Sequence, residues 1–247
     1  MIKNTRFTET LNTYGFVPAW IIGGISSFCR FFEVLVSAYV IFNLSESALL
    51  VALNSGLRVA PLLAVGSIIG KYSDKFDKRF FINFSTLIFI TSSLIAFILM
   101  ITNLIEVWHL LSLSFFSGLG WAFEFPSRRS FMGDILKSSN VSLGIGMDLT
   151  ISNFGRFVGP VAAGILIDYF IDYSFVFSSS FYLVSFIMSL LIFKTTKKNI
   201  TNSVEKYKVS SPFKSLIKNH MFRTVLLVTI VCNIWAFPTT SMVPCLL

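Results

Sequence analysis

The chain has 247 residues, of which 54% are hydrophobic and 13% are charged, and its formal net charge is +8 at pH 7. About a quarter of the residues in a typical soluble domain are charged, so this composition excludes an ordinary soluble enzyme or binding domain. A high positive charge first suggests nucleic-acid binding, but that class gathers its basic residues on one soluble face. Here they are spread between apolar stretches.

Seven apolar stretches are long enough to cross about 30 Å of hydrocarbon as helices, which takes about 20 residues each. In chain order they are Phe16–Phe42, Ser47–Gly70, Phe80–Thr102, Val107–Phe125, Val141–Ile167, Phe170–Phe193 and Met221–Val243. The first is too long for a signal peptide and contains Arg30 and Glu33, so we expect it to stay in the membrane. The chain is therefore predicted to be an all-α, multi-pass membrane protein.

The basic residues predict the orientation of these crossings. Apart from Arg30, Arg58 and Arg156, every Lys and Arg lies in or beside the N-terminal segment and alternate gaps, starting with the second-to-third gap. Cytoplasmic loops carry an excess of Lys and Arg. We therefore predict a cytoplasmic N-terminus and a location in the cell membrane, inner or plasma.

The loops are short except for residues 194–220, which are polar and basic and are predicted to form a cytoplasmic linker containing a short surface helix at 213–220. The linker separates a six-helix bundle at 1–193 from a seventh helix at 221–247. We interpret that helix as the beginning of a second, incomplete bundle. The cysteines and histidines lack metal-ligand spacing, so no metal or cofactor is predicted.

Two crossings share an Arg near mid-membrane that is followed by a Pro. The second contains Arg58-Val-Ala-Pro61, and the fifth contains Arg156-Phe-Val-Gly-Pro160. The second and fifth crossings run in opposite directions, as inverted repeats of three helices require. This match supports a six-helix unit built from two inverted three-helix repeats.

The turn between the second and third crossings has an unusual spacing. Its marked positions are Gly70, Asp74, Lys75, Asp77, Lys78 and Arg79. Gly70 permits the close approach of a neighbouring helix, and Asp74 is suited to accept hydrogen bonds from a facing helix N-terminus. A solvated loop explains the lysines but not this spacing, and the pattern does not fit a phosphate-binding loop.

The fifth crossing carries a string of small residues from Gly155 to Gly164. Gly155, Gly159 and Ala163 recur every four residues and form a stripe where another helix can pack or slide. Pro160 removes one backbone donor and permits a bend. A tight, static helix contact is the alternative reading of this stripe.

The loop spacing resembles the signature of the major facilitator superfamily between its second and third helices. The string from Gly155 to Gly164 resembles that superfamily's antiporter motif, with Ala163 at one glycine position. Asp77 stands where many members have glycine, a departure shared with the drug and siderophore efflux branch that includes proteins similar to the enterobactin exporter. The resemblance covers essentially the whole chain.

The resemblance implies a twelve-helix fold, of which this chain is the N-terminal portion. It implies efflux of a small organic compound by alternating access, coupled to inward proton flow. It also implies a conformational gating set: Gly70, Asp74, Lys75, Lys78 and Arg79 at the cytoplasmic latch, and Gly155, Gly159, Pro160 and Gly164 on the flexing face.

Charged residues inside the crossings are the candidate substrate and proton pathway. An Arg at the centre of a membrane helix costs roughly 2.5–3.5 kcal/mol, so each should face a watery cavity or an acid. Glu33 lies one turn from Arg30, and Asp148 about two turns from Arg156. The candidate pathway residues are Arg30, Glu33, Asn54, Arg58, Asp148, Asn153 and Arg156.

Two acids in this set are candidate proton carriers. Burial and a nearby Arg act on a carboxylate in opposite senses, so Glu33 and Asp148 are suited to switch protonation. Static buried ion pairs are the alternative, and Glu124 near Arg128 is predicted to form an interfacial salt bridge. With both acids ionised the pathway carries a net charge of +1, which favours an anionic substrate.

The predicted partners are therefore a small-molecule substrate, protons and the lipid bilayer, with no nucleic acid. No cluster of Ser, His, Asp or Cys has catalytic spacing, so the protein is predicted not to be an enzyme. The alternative is a truncated or split transporter half with no transport activity on its own, which is either inert or active only after pairing with a missing C-terminal half.

Overall fold

The structure is a computed structural model that describes residues 2–72, 77–193 and 224. Apart from Thr224, these residues belong to the first of two compact units, Met1–Ser203 and Val204–Leu247. The predicted linker at 194–220 and, apart from Thr224, the seventh helix at 221–247 lie outside the described residues, as do Asp74 and Lys75. Every regular element in the described ranges is helical, as predicted.

Seven α-helices follow one another in the described part of the first unit. They are α1 (Ile2–Leu11), α2 (Phe16–Ser45), α3 (Ala48–Tyr72), α4 (Lys78–Ile101), α5 (Val107–Ile135), α6 (Ser138–Phe170) and α7 (Ser174–Phe193), with a short 3-10 helix at Ile171–Tyr173. The first six predicted crossings fall on α2 to α7 in order. The N-terminal segment, for which no element was predicted, forms α1.

Among the described residues, three segments are long and apolar enough to cross a membrane: Phe16–Ser45, Lys78–Ile101 and Ser138–Ile192. The last covers α6 and α7 together, and Ala48–Ala64 within α3 is a shorter apolar stretch. Helix α5 falls outside this set because serine, glycine and His109 dilute its apolar residues. The protein is embedded in the membrane, whereas crossing by α3 and α5 and the inverted repeats stay predictions.

Helix α2 occupies the centre of this arrangement. It packs most extensively against α6 and also contacts α7, α5 and α3, while α5 packs against α3 and α4. Small residues let the helices approach. A Cβ atom on Gly118 of α5 would overlap the carbonyl oxygen of Arg58 on α3, so only glycine permits this contact.

The interior is polar along much of its length, and the outer surface is apolar. Serines from α2, α4, α5 and α7 are buried together with several charged groups, whereas Leu63 and Phe157 on the outside are 78% and 74% exposed. Apolar exposure on this scale marks surfaces that lie against lipid or another protein. Within the interior, Phe16, Ile82, Phe131 and Ile192 form an apolar cluster at one end of the bundle.

Helix α1 is held to the beginning of α6 by polar contacts of Glu9. Its carboxylate accepts hydrogen bonds from Lys137 and, at 3.2 Å, from Asn140. The hydrogen bond from Lys137, more than any other contact, lowers the pKa of Glu9 below its ordinary value. These contacts fix the otherwise polar α1 against the end of the bundle.

Helix α5 is longer than the fourth predicted crossing. That crossing was expected to end at Phe125, with Arg128 and Arg129 in a cytoplasmic gap, but the helix continues through Pro126 to Ile135. Residues 126–135 are therefore helix rather than loop, because hydropathy locates the end of an apolar run and not the end of a helix, while the membrane boundary near Phe125 stays a prediction. Arg128 and Arg129 are therefore part of helix α5.

Candidate functional site

The Glu33 carboxylate on α2 is the meeting point of four helices. It is 5% exposed. Its Oε1 accepts hydrogen bonds from Ser93 of α4 and Ser178 of α7, both at 2.8 Å. Its Oε2 lies 3.6 Å from Nη1 of Arg58 on α3, an ion pair that is too long for a good hydrogen bond. One cation and two hydroxyl groups thus compensate the buried charge.

The two serines at Glu33 have more acceptors than protons. Each hydroxyl carries one proton. Both oxygens lie near the carbonyl oxygen of Phe175, at 3.0 Å for Ser93 and 3.1 Å for Ser178, and the two hydroxyls are 2.6 Å apart. The hydroxyl protons therefore have alternative positions between the carboxylate, the carbonyl and each other, which is the arrangement a proton relay needs.

Arg58 connects Glu33 to the backbone of α2. Its Nη1 donates to the carbonyl oxygen of Arg30 at 3.1 Å, and among the described residues its Nε has no partner. Asn54, one turn earlier, donates to Ser37 at 3.0 Å. The sequence placed Arg30 beside Glu33 because the two are one turn apart, but the structure pairs Glu33 with Arg58.

A small cavity lies beside this ion pair. Its volume is about 10 Å³, which is close to the space that one water molecule requires. Its polar lining comprises Glu33, Arg58, Ser37, Ser92, Ser93, Ser114 and Ser117. Of the three arginines that the sequence predicted to face a watery cavity or an acid, only Arg58 borders this space.

Arg30 and Arg156 lie instead at the ring of Phe31. The guanidinium carbon of Arg30 is 5.4 Å from the centre of that ring and 4.3 Å from the centre of the Trp121 ring on α5. The guanidinium carbon of Arg156 on α6 is 4.9 Å from the Phe31 ring. Arg30 is half-buried, whereas Arg156 and Asn153 are exposed. Helices α2, α5 and α6 thus present two cations and two aromatic rings together.

Asp148 on α6 belongs to a different, closed network. One carboxylate oxygen accepts a hydrogen bond from Arg128, and the other lies 3.3 Å from Nε of Arg129. Arg128 also donates to Glu124, and all of this network except Arg129 is nearly inaccessible to solvent. A Cβ atom on Gly23 of α2 would come within 2.7 Å of Asp148, so α2 seals the network.

This network corrects one sequence prediction and contains a pair that was predicted. Asp148 was expected to serve Arg156, two turns away on the same helix, but it binds Arg128 and Arg129 of α5. The pair of Glu124 and Arg128 exists as predicted and is buried inside the protein, while its position at the membrane interface stays a prediction. Their spacing of four residues on one helix was the available signal, and the assignment of Arg128 to a loop concealed it.

The small-residue stripe of α6 lies against the backbone of α2. A Cβ atom on Gly155 would be 2.8 Å from the backbone nitrogen of Phe28, and one on Gly159 would be 2.6 Å from its carbonyl oxygen. Pro160 lies inside the helix and Ala163 is fully buried. A Cβ atom on Gly164 would meet no atom of a described residue within 4 Å, so this last position of the string is not part of the contact with α2.

The beginning of α4 carries the described part of the predicted latch. Asp77 caps the helix by accepting from the backbone nitrogen of Arg79 at 3.1 Å, and it also binds the Arg79 side chain. Lys78 binds Asp134 near the end of α5 at 2.6 Å. Gly70 lies near the end of α3. The latching role of these residues stays a prediction.

One comparison with known proteins identifies the class of this chain. The sequence model of the family described as transmembrane secretion effector (MFS_3), a branch of the major facilitator superfamily, matches residues 9–246. A search of the curated proteins finds no match. Within the described residues, no group of three or more His, Cys, Asp or Glu side chains is placed to hold a metal ion. The matched range includes every polar arrangement above.

Proposed function

Because the chain belongs to the transmembrane secretion effector family of the major facilitator superfamily, we propose that it exports a small organic compound by alternating access, driven by inward proton flow. The family and the apolar helices show a membrane-embedded transporter. The proton coupling, the direction and the place in the efflux branch near the enterobactin exporter are the proposal. The observation that carries it is the buried Glu33 carboxylate.

Glu33 has the properties that proton coupling requires. A proton shifts a conformational equilibrium only if one conformation binds it more tightly than the other. In the described structure the carboxylate is closed off among Arg58, Ser93 and Ser178, beside room for one water molecule. Protonation would remove the negative charge that holds Arg58, and would thereby loosen contacts to three other helices.

Asp148 is less suited to carry a proton in this conformation. It binds two guanidinium groups in a sealed site, so its protonation would leave Arg128 and Arg129 with less counter-charge. Breaking a buried ion pair by removing one partner typically costs about 3–5 kcal/mol. We therefore assign the proton site to Glu33 and give Asp148 the role of joining α5 to α6, the ion-pair alternative that the sequence left open.

The remaining candidate residues enter the proposal through relative motion of the helices. Gly155 and Gly159 place α6 directly on the backbone of α2, so a change in that contact would move Arg156 relative to Arg30. Lys78 and Asp134 join α4 to α5 at the predicted cytoplasmic end and would hold one conformation. Asp74 and Lys75 belong to the same predicted latch and lie outside the described residues.

The proposal is tested in inside-out membrane vesicles that contain the full chain and carry an imposed pH gradient. A transported compound would release protons from the vesicles and dissipate the gradient, which a pH-sensitive dye reports. Glu33→Gln should abolish this proton release while the protein still inserts into the membrane. Glu46→Gln, which removes an exposed carboxylate at the end of α2, is the matched control. Wild-type coupling in Glu33→Gln would overturn the assignment.

The same assay addresses the alternative of a transporter half. If the chain inserts but shows no transport alone, and transport returns when the five remaining helices of a twelve-helix fold are co-expressed, the chain acts as one part of a pair. Transport by the chain alone would remove that alternative. The location in the inner or plasma membrane and the cytoplasmic N-terminus are part of the proposal.

A further inference from the structure

Arg30 and Arg156 come from different helices and converge on one aromatic ring. Their guanidinium carbons lie 5.4 Å and 4.9 Å from the centre of the Phe31 ring, within the range of cation–π attraction. Arg30 also lies 4.3 Å from the Trp121 ring, and its Nη2 donates to Ser27 at 3.3 Å. The two cations and two rings form a single polar and aromatic surface.

No described carboxylate forms an ion pair with the two cations of this surface, although Glu124, which binds Arg128, also attracts Arg30 through space. Glu33 binds Arg58, Glu124 binds Arg128, and Asp148 binds Arg128 and Arg129. Among the described residues, neither Arg30 nor Arg156 has a carboxylate partner. Arginines without a directly bound carboxylate are energetically costly inside a membrane. Arg30 and Arg156 are therefore candidates for a functional site.

The chemistry of this surface selects a class of ligand. A guanidinium group binds a carboxylate through two parallel hydrogen bonds and also stacks on flat π systems. Phe31 and Trp121 add ring faces beside the two cations. A compound that joins a carboxylate to a flat aromatic ring would bind the guanidinium groups and stack on the ring faces. A cationic compound would be repelled by the two arginines, and a compound with a saturated ring would lose the stacking.

We propose that Arg30, Phe31, Trp121 and Arg156 form a substrate subsite for aromatic organic anions. This inference rests on the proposed export function and names the class of its substrate. The charge balance of the sequence favoured an anion, and the aromatic requirement comes from the contacts of the two arginines with the rings.

The test measures binding of 2-naphthoate to the full chain in nanodiscs of zwitterionic lipid, by equilibrium dialysis against empty nanodiscs. Zwitterionic lipid prevents anionic headgroups from occupying the surface. Three matched probes accompany it: 2-naphthamide has no charge, 2-naphthylmethylammonium is a cation, and decahydro-2-naphthoate keeps the charge without the π system. Saturable binding should be tightest for 2-naphthoate.

The variants Arg30→Gln and Arg156→Gln should each weaken 2-naphthoate binding by about ten-fold or more, since each removes a charge-assisted contact. Arg30→Lys should weaken it too, because the ammonium lacks the planar fork. Lys137→Gln, which removes an exposed cation on Glu9, should bind as wild type. Monodisperse elution on size exclusion shows that each variant is folded.

Equal affinity for the amide or the ammonium probe would overturn the anionic assignment, and equal affinity for the decahydro compound would overturn the aromatic one. Wild-type affinity in both Arg→Gln variants would overturn the site. If 2-naphthoate fails to bind while other compounds still drive Glu33-dependent proton release, the subsite is wrong and the export function stands. If no compound drives proton release, the export function itself fails.

Discussion

The Glu33 carboxylate collects one cation and two hydroxyl donors from three other helices, and each contact has a separate physical effect. Arg58 offsets most of the cost of burying the charge, since an ionised carboxylate without a partner is strongly disfavoured in an apolar interior. Ser93 and Ser178 satisfy the remaining lone pairs. The sequence identified both charged residues but not their pairing.

The ion pair predicts a non-additive pattern of stability. Arg58→Gln leaves the Glu33 charge buried without its cation and should lower the free energy of unfolding by about 3–5 kcal/mol. Combining it with Glu33→Gln should restore part of that loss, because the unpaired charge is removed. Thermal unfolding of the purified variants measures both effects. An additive double variant would contradict the pairing.

Asp148 gives a second residue-level prediction that separates a structural role from proton transport. Asp148→Asn should lower the thermal unfolding temperature, because Arg128 and Arg129 lose a shared acceptor. Folded protein should nevertheless retain proton-coupled release in the vesicle assay. Asp168→Asn, exposed on the same helix, should change neither property. Loss of coupling in folded Asp148→Asn would instead make Asp148 a proton carrier.

At the scale of elements, the contact between α2 and α6 depends on the absence of side-chain atoms. Gly155 and Gly159 place one helix backbone directly on the other, and Gly23 of α2 leaves room for the network around Asp148. This packing brings Phe31 of α2 and Arg156 of α6 together. The small-residue pattern predicted a close contact, but it did not identify the partner helix.

The two ends of the α6 string should respond oppositely to a methyl group. Gly159→Ala would place a Cβ atom 2.6 Å from the carbonyl oxygen of Phe28, so the helices must separate, at a cost of about 1–3 kcal/mol. Gly164→Ala meets no described atom and should be neutral or slightly stabilising. Unfolding temperatures and transport rates of the two variants measure this difference. Equal effects would contradict the packing.

The contact between α1 and α6 should depend on pH. Since the contacts of Glu9 lower its pKa below the ordinary value of 4.5, the stabilisation is fully present above that value and is lost as the pH falls below the lowered one. A spin label at position 7 should therefore be immobile at pH 7 and become mobile as the pH falls through the lowered pKa of Glu9. Glu9→Gln should make the label mobile at both pH values, and an immobile label in this variant would show that other contacts hold α1.

At the scale of the whole molecule, the described residues have a polar interior and an apolar exterior, which is the arrangement expected of a protein surrounded by lipid. The exposed side chains include many large apolar groups, whereas the buried set includes Glu33, Arg58, Glu124, Arg128 and Asp148. Ion pairs and serine hydroxyls join the helices inside, as expected where lipid removes most of the hydrophobic drive between them.

The predicted orientation is open to a direct test. In a variant whose cysteines are replaced by serine, a cysteine at position 106 should react with a membrane-impermeant maleimide in intact cells. A cysteine at position 137 should react only after the membrane is permeabilised, because the Lys and Arg distribution places that end in the cytoplasm. The reverse pattern would contradict the orientation, and labelling of both in intact cells would contradict the crossing by α5.

The sequence by itself determined the properties that depend on local composition. Apolar runs located the positions of α2 to α7, and the spacing around Gly70 and Gly155 pointed to the superfamily to which the chain belongs. Only the tertiary structure decided which acid binds which arginine, because such pairs depend on how helices face one another. Glu33 therefore binds Arg58 and not the nearer Arg30, and Asp148 binds two arginines that the hydropathy pattern had assigned to a loop.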